Sequence, residues 1–199
     1  MKLKKLSLLG LSLLLSLSVV ACTKKNQERV GEDANKAKNN VEAKVDDYTN
    51  YYSTAYNDYS MGMDKYSMYN TVEGVNKVYE TKEYPGNEKY LKEVKDAYKD
   101  SRDKTQNFVN SLKKDGKTED KELKGMHDKL IAEGEKTVKE MDARINRLNE
   151  ISDEDMKRDQ NGFITLVHGI THTGNDIQTG FGNMVNDMNK RLGININNK

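Results

Sequence analysis

The stretch VEAKVDDYTNYYSTAYNDYS, residues 41–60, decides the fold class. Val41, Val45, Tyr48, Tyr52, Ala55 and Tyr59 fall at steps of 4, 3, 4, 3 and 4. That is the spacing of one helix face packed in heptad register. Met63, Tyr66 and Tyr69 extend the seam after a slip of one residue near Gly62. The helix is expected to weaken over Asn70 to Gly74 and to resume through Val75, Val78 and Tyr79. Seven of the eleven tyrosines lie between Tyr48 and Tyr69. Helical spacing sends Tyr48, Tyr52, Tyr59 and Tyr66 to the core, with hydroxyls reaching its rim. Tyr51 and Tyr56 flank the seam and are the candidates for contact with a sugar ring or a peptide.

Three more stripes follow. Tyr84-Pro85-Gly86-Asn87 has Pro and Gly where a type II turn wants them. A second helix is predicted from Asn87 to Lys114, with Leu91, Val94, Tyr98, Ser101, Thr105, Phe108 and Leu112 on its seam. Its polar middle implies a thin core there. Asp115-Gly116 should end it, with Gly116 in the left-handed conformation past a helix end. Thr118 is the expected cap of a third helix carrying Leu123, Met126, Leu130, Val138, Met141, Ile145 and Leu148. Ser152 with Asp153, Glu154 and Asp155 reads as a further N-terminal signal. A fourth helix should show Phe163, Leu166, Val167, Ile170, Gly174, Ile177, Phe181, Met184 and Met188 on one side. Five interior glycines, each costing up to ~1 kcal/mol against Ala, make kinks or breaks expected there. The tail after Leu192 should fray. Four comparable amphipathic helices joined by short turns predict an all-α, antiparallel, up-down-up-down four-helix bundle. Helical hairpins that complete their core by homo-oligomerisation are the alternative, since heptads also join chains.

Ahead of the bundle the chain changes character. Lys2, Lys4 and Lys5 precede an apolar run from Leu6 to Val20, and Val19-Val20-Ala21 puts small residues before Cys22. Basic start, short apolar run and small-residue cleavage site are the order of an export signal. A cut before Cys22 removes residues 1–21 and leaves 178, enough for one domain. A small residue followed by Cys here resembles a lipobox, so Cys22 is the expected site of diacylglycerol and palmitate attachment. An ordinary secretory cut would instead leave a free N-terminal thiol, and the run is shorter than the ~20 residues of an uncleaved spanning helix. Residues 22–40 are polar and read as a flexible tether whose 18 residues after the cysteine reach roughly 20–25 Å on average. The bundle domain is expected over 41–192, with a tail over 193–199. Thr23 in place of Asp after Cys22 points to the outer membrane if the cell has two membranes, and otherwise to the outer face of the cell membrane.

Composition narrows the chemistry. The whole chain carries 33 basic and 32 acidic residues, and loss of the signal lysines leaves 30 against 32. That near-neutral balance gives no electrostatic case for nucleic acid. Cys22 is the sole cysteine, so no disulfide or cysteine-based metal site is expected. His168 and His172 stand at i and i+4, a spacing that can chelate a transition metal, with Asp176 one turn on and His127 as the remaining histidine. The helical projection turns both away from the apolar stripe, toward Thr165, Thr179 and Asn183, so a solvated face explains them equally well. No phosphate loop, nucleophile elbow or Cys–His arrangement is present, so neither an enzyme nor a cofactor is expected.

Lys124-Gly125-Met126-His127-Asp128-Lys129-Leu130, preceded by Tyr52-x-x-x-Tyr56-Asn57, resembles the YiiG-like bacterial lipoproteins. Met126 stands where that pattern has Leu, and the distance from Lys-Gly to His is shorter. The resemblance spans roughly Tyr48 to Ile151. It implies an exported, lipid-anchored helical protein and assigns no catalytic residue. The expectation is therefore an envelope lipoprotein that binds or spaces through its helical surface, engaging another envelope protein or glycan. The alternative is metal or small-solute handling by His168 and His172.

Overall fold

A computed structural model describes residues 47–172 and 177–194, without the side chains of Asp115 and residues 177–179. The signal segment 1–21, Cys22, the tether 22–40, Val41, Val45, Gly174, Asp176 and the tail from 195 lie outside the described residues, as do the side chains of Ile177 and Thr179. Every regular element described is helical. In chain order these are α1 (47–60), a 3₁₀ segment (Asp64–Asn70), α2 (Val72–Tyr79), α3 (Asn87–Asp115), α4 (Lys121–Asn149), a short 3₁₀ turn (Asp155–Lys157), α5 (Gln160–His172) and α6 (Ile177–Arg191). None of the described helices is long and apolar enough to cross a membrane.

The long helices α3 and α4 form an antiparallel hairpin, fastened by Arg102 Nε to Asp142 Oδ1 at 3.0 Å and by Lys113 to Glu135. Against one half of it pack α1 and α6. Their cluster joins Tyr48, Tyr52, Ala55, Tyr56, Phe108, Leu112, Leu123, Leu130, Phe181, Val185 and Met188. Against the other half pack the first 3₁₀ segment, α2 and α5, around Val75, Tyr90, Leu91, Val94, Leu148, Phe163, Ile164 and Val167. Between the clusters α3 buries Ser101 and Thr105, and the Thr105 hydroxyl donates to the Ser101 carbonyl at 2.9 Å. The thin middle expected of this helix is a polar break between two cores.

Several local expectations are corrected. The first helix stops at residue 60, where Gly62 takes φ 70, so Met63, Tyr66 and Tyr69 belong to the 3₁₀ region. Helix resumes at Val72, earlier than Val75, because Thr71 Oγ1 accepts from Gly74 N at 2.9 Å and caps it. Gly86 has φ 89 but ψ 157, where a type II turn needs ψ near zero. The chain is therefore extended as it enters α3. Asn87 fixes that entry by donating from Nδ2 to the carbonyls of Met156 and Arg158 at 2.9 and 2.8 Å.

Asp120, two residues past Thr118, caps α4: its Oδ1 accepts from Glu122 N and Leu123 N at 2.9 and 3.0 Å. Ser152 caps only the short 3₁₀ turn, and Asp159 Oδ1 accepts from Gly162 N to start α5. Past α6, Gly193 takes φ 66, Gly193 N donates to Lys190 O and Ile194 N donates to Asn189 O. This is a Schellman closure, with Ile194 packed on the first cluster, so 193–194 are held where fraying was expected.

Candidate functional site

Three places hold groups capable of chemistry or recognition. The first joins α1 to α4. Tyr48 Oη lies 2.8 Å from His127 Nδ1, and both residues are buried. A neutral ring with its proton on Nε2 lets Nδ1 accept the Tyr48 hydroxyl proton. Burial holds its pKa below 6.5, against the opposing pull of the Asp128 carboxylate and with Lys124 adding to the depression. Burial likewise raises the Tyr48 phenol well above its usual value. With both groups neutral and closed off, the pair fastens two helices.

Gly116 belongs to this contact. Its φ of −71 and ψ of 67 are not left-handed, so the expected reason for glycine at this helix end does not apply. Space is the reason. A Cβ there would sit 2.2 Å from His127 Cε1 and 2.6 Å from Leu112 O.

The flanking tyrosines do not form an exposed contact patch. Tyr56 is 8% exposed, inside the first cluster and stacked at 6.2 Å on Tyr52. Tyr51 is half-buried and donates its hydroxyl to the Ser111 carbonyl. Tyr52 is fully buried, and its hydroxyl has no hydrogen-bond partner among the described residues.

The second place is the His168–His172 pair on α5. Their rings stack with centroids 3.9 Å apart and 12° between planes. His168 is half-buried, with Nε2 at 3.2 Å from the Asn70 carbonyl, so it faces the entry to α2 where a solvated surface was expected. His172 is exposed, with Nδ1 at 2.9 Å from Thr171 Oγ1 and 3.1 Å from the His168 carbonyl. His127 belongs to the other cluster, and no group of three His, Cys, Asp or Glu suited to a metal occurs among the described residues.

The third place is a groove of about 750 Å³ between the C-terminal part of α4 and α5. Arg147, Arg158, Thr165, Leu166, Gly169 and Ile170 contribute to its lining. Residue patterning overlooked this site, although α4 carries a signal for it. Leu123, His127, Leu130, Gly134, Thr137, Met141, Arg144 and Leu148 are buried at strict steps of 4 and 3. The true seam therefore includes two ionisable residues that a search for apolar side chains passes over. Tyr90 was overlooked too, although it is 2% exposed and touches Tyr69, Tyr79, Tyr84 and Phe163.

Comparison of the chain with family models, with curated proteins and with solved structures gave no match. His127 sits edge-on to Tyr48 at 5.7 Å, next to Tyr52 and Tyr56 along α1.

Proposed function

We propose that this chain is a bacterial envelope lipoprotein, held on the extracytoplasmic face by acylated Cys22 and working by binding or spacing through its helical body. The observation that carries the reading is the basic and apolar leader ending in Val19-Val20-Ala21-Cys22. The likeness of the Tyr52–Asn57 and Lys124–Leu130 segments to YiiG-like lipoproteins supports it.

We read the body as an up-down-up-down bundle. Three contact series support that topology. Tyr51 with Ser111, Tyr66 with Asp100 and Tyr69 with Tyr90 set the first limb antiparallel to α3. Arg102 with Asp142 and Lys113 with Glu135 do the same for α3 and α4. On the last limb, Phe163 shares a cluster with Leu148, and Arg191 reaches Asp120 at 3.0 Å. The tether would then join the body at the Tyr48–His127 end. The α4–α5 groove lies about 30 Å further along α4, at the 1.5 Å helical rise, toward the other end of the body.

Fractionation of cells expressing wild type and Cys22→Ala tests the anchor. Wild type should partition with membranes and incorporate labelled palmitate, and the variant should do neither. Membrane retention of the unlabelled variant would sink the reading. Crosslinking in intact cells tests the partner role: an envelope protein or glycan should be captured by wild type and lost with Cys22→Ala. Metal handling by His168 and His172 is the rival use. A zinc titration against the His168→Ala, His172→Ala double variant decides it.

A further inference from the structure

Seam positions of a packed helix ordinarily carry apolar side chains. Arg144 occupies one on α4, and it is 3% exposed. Its Nε, like that of Arg102, makes no hydrogen bond among the described residues. Arg147, one turn further on, also has a buried Nε with no partner. Other described arginines hold carboxylates: Arg102 holds Asp142 at 3.0 Å, Arg158 holds Asp155 at 2.7 Å and Arg191 holds Asp120 at 3.0 Å. Neither Arg144 nor Arg147 has an ion pair among the described residues. A guanidinium cannot shed its proton, and burying it without a counter-charge is costly. Arg144 is buried and Arg147 half-buried, so one turn of α4 carries two positive charges.

Arg147 brings positive charge into the α4–α5 groove. The size of the groove, about 750 Å³, suits a small organic molecule. Leu166 and Ile170 give it apolar wall, and Gly169 leaves room, since a Cβ there would meet nothing within 4 Å. Arg158 is already committed to Asp155, and the Asp159 carboxylate also lines the groove. A dianion would meet that carboxylate, whereas a single negative charge matches the one uncommitted guanidinium at the rim.

We propose that this groove binds a small organic carboxylate. Arg147 takes the carboxylate through its planar fork, Leu166 and Ile170 cover the apolar body, and Arg144 supplies the positive field behind them. The assignment deepens the binding role proposed above, resting on it for its purpose but not on the anchor for its geometry.

Calorimetric titration of the full chain in detergent micelles with phenylacetate is the test, with 2-phenylethanol as the neutral control. Phenylacetate should bind saturably and the alcohol should not. Arg147→Gln should weaken binding about tenfold or more, as loss of a charge-assisted contact does. Gly169→Leu should abolish binding, because its side chain occupies the groove, while the thermal midpoint stays at or above wild type. No saturable binding, equal binding of the alcohol, or unchanged affinity in either variant overturns the assignment. Each of those results leaves the membrane partitioning of Cys22→Ala unaffected, so failure of the groove is distinguishable from failure of the anchor.

Discussion

The hydroxyl of Tyr48 lies 2.8 Å from His127 Nδ1 across 79 residues of chain, and it is the polar contact that fastens α1 to α4. One turn along α1, Tyr52 buries an equal hydroxyl with no partner among the described residues. The two tyrosines should therefore answer oppositely to loss of oxygen. Tyr48→Phe strands His127 Nδ1 and is expected to cost about 1–3 kcal/mol. Tyr52→Phe removes an unsatisfied group and should be neutral or stabilising by up to about 1 kcal/mol. Urea unfolding of the two variants checks this, and equal destabilisation would contradict the assignment.

Acid should weaken the fold before any carboxylate titrates. The His127 pKa lies below 6.5 in the folded chain because of burial, so the unfolded chain takes up the proton first as pH falls. Its contribution is complete above pH 6.5 and is lost as pH drops through 6.5 toward the folded value. Urea midpoints measured from about pH 7 to about pH 5 should fall for wild type and flatten for His127→Gln. A slope that survives in the variant would place the titrating group elsewhere.

Glycine-to-alanine changes at two nearby sites should differ in sign. Gly116→Ala drives a methyl to 2.2 Å of His127 Cε1 and is expected to destabilise by at least about 1–3 kcal/mol. Gly125→Ala, on the exposed face of α4 with nothing within 4 Å, should stabilise by about 0.5–1 kcal/mol. Thermal midpoints of the pair measure it, and a harmless Gly116→Ala would show that His127 has room to withdraw.

Base should unfold the aromatic clusters. Burial pushes Tyr59, Tyr69 and Tyr84 from 10.0 up to about 12. For a raised pKa the stabilisation is intact below pH 10 and is lost as pH climbs from 10 through about 12. Phenolate absorbance and far-ultraviolet circular dichroism should change together in that window. Phenolate formation well ahead of helix loss would show these rings to be solvent-accessible.

The heptads of α1 and α3 were legible because their seams hold large apolar or aromatic side chains at unbroken spacing. Ser101 and Thr105 were legible too, as a polar lapse in a regular stripe. On α4, Val138 and Ile145 are buried as expected, but Met126 is only half-buried, and the polar seam members were missed because hydrophobicity was the criterion. Burial instead follows position, and position selected His127, Gly134, Thr137 and Arg144. The groove was invisible for the same reason. Arg147 comes from α4, whereas Arg158 and the small residues come from the segment leading into and through α5, and no local pattern joins the two.

Read alone, the sequence determined the helical class and the α3–α4 hairpin, because periodicity and turn residues are local properties. Tertiary structure decided what distance along the chain conceals. It closed Tyr48 on His127, made Gly116 a matter of space, drew Tyr56 into the core, buried Arg144 in the α4 seam and set Arg147 in an open groove. The physical reason is that hydrogen bonding, steric room and charge compensation depend on which residues meet, and that is fixed only when the helices pack.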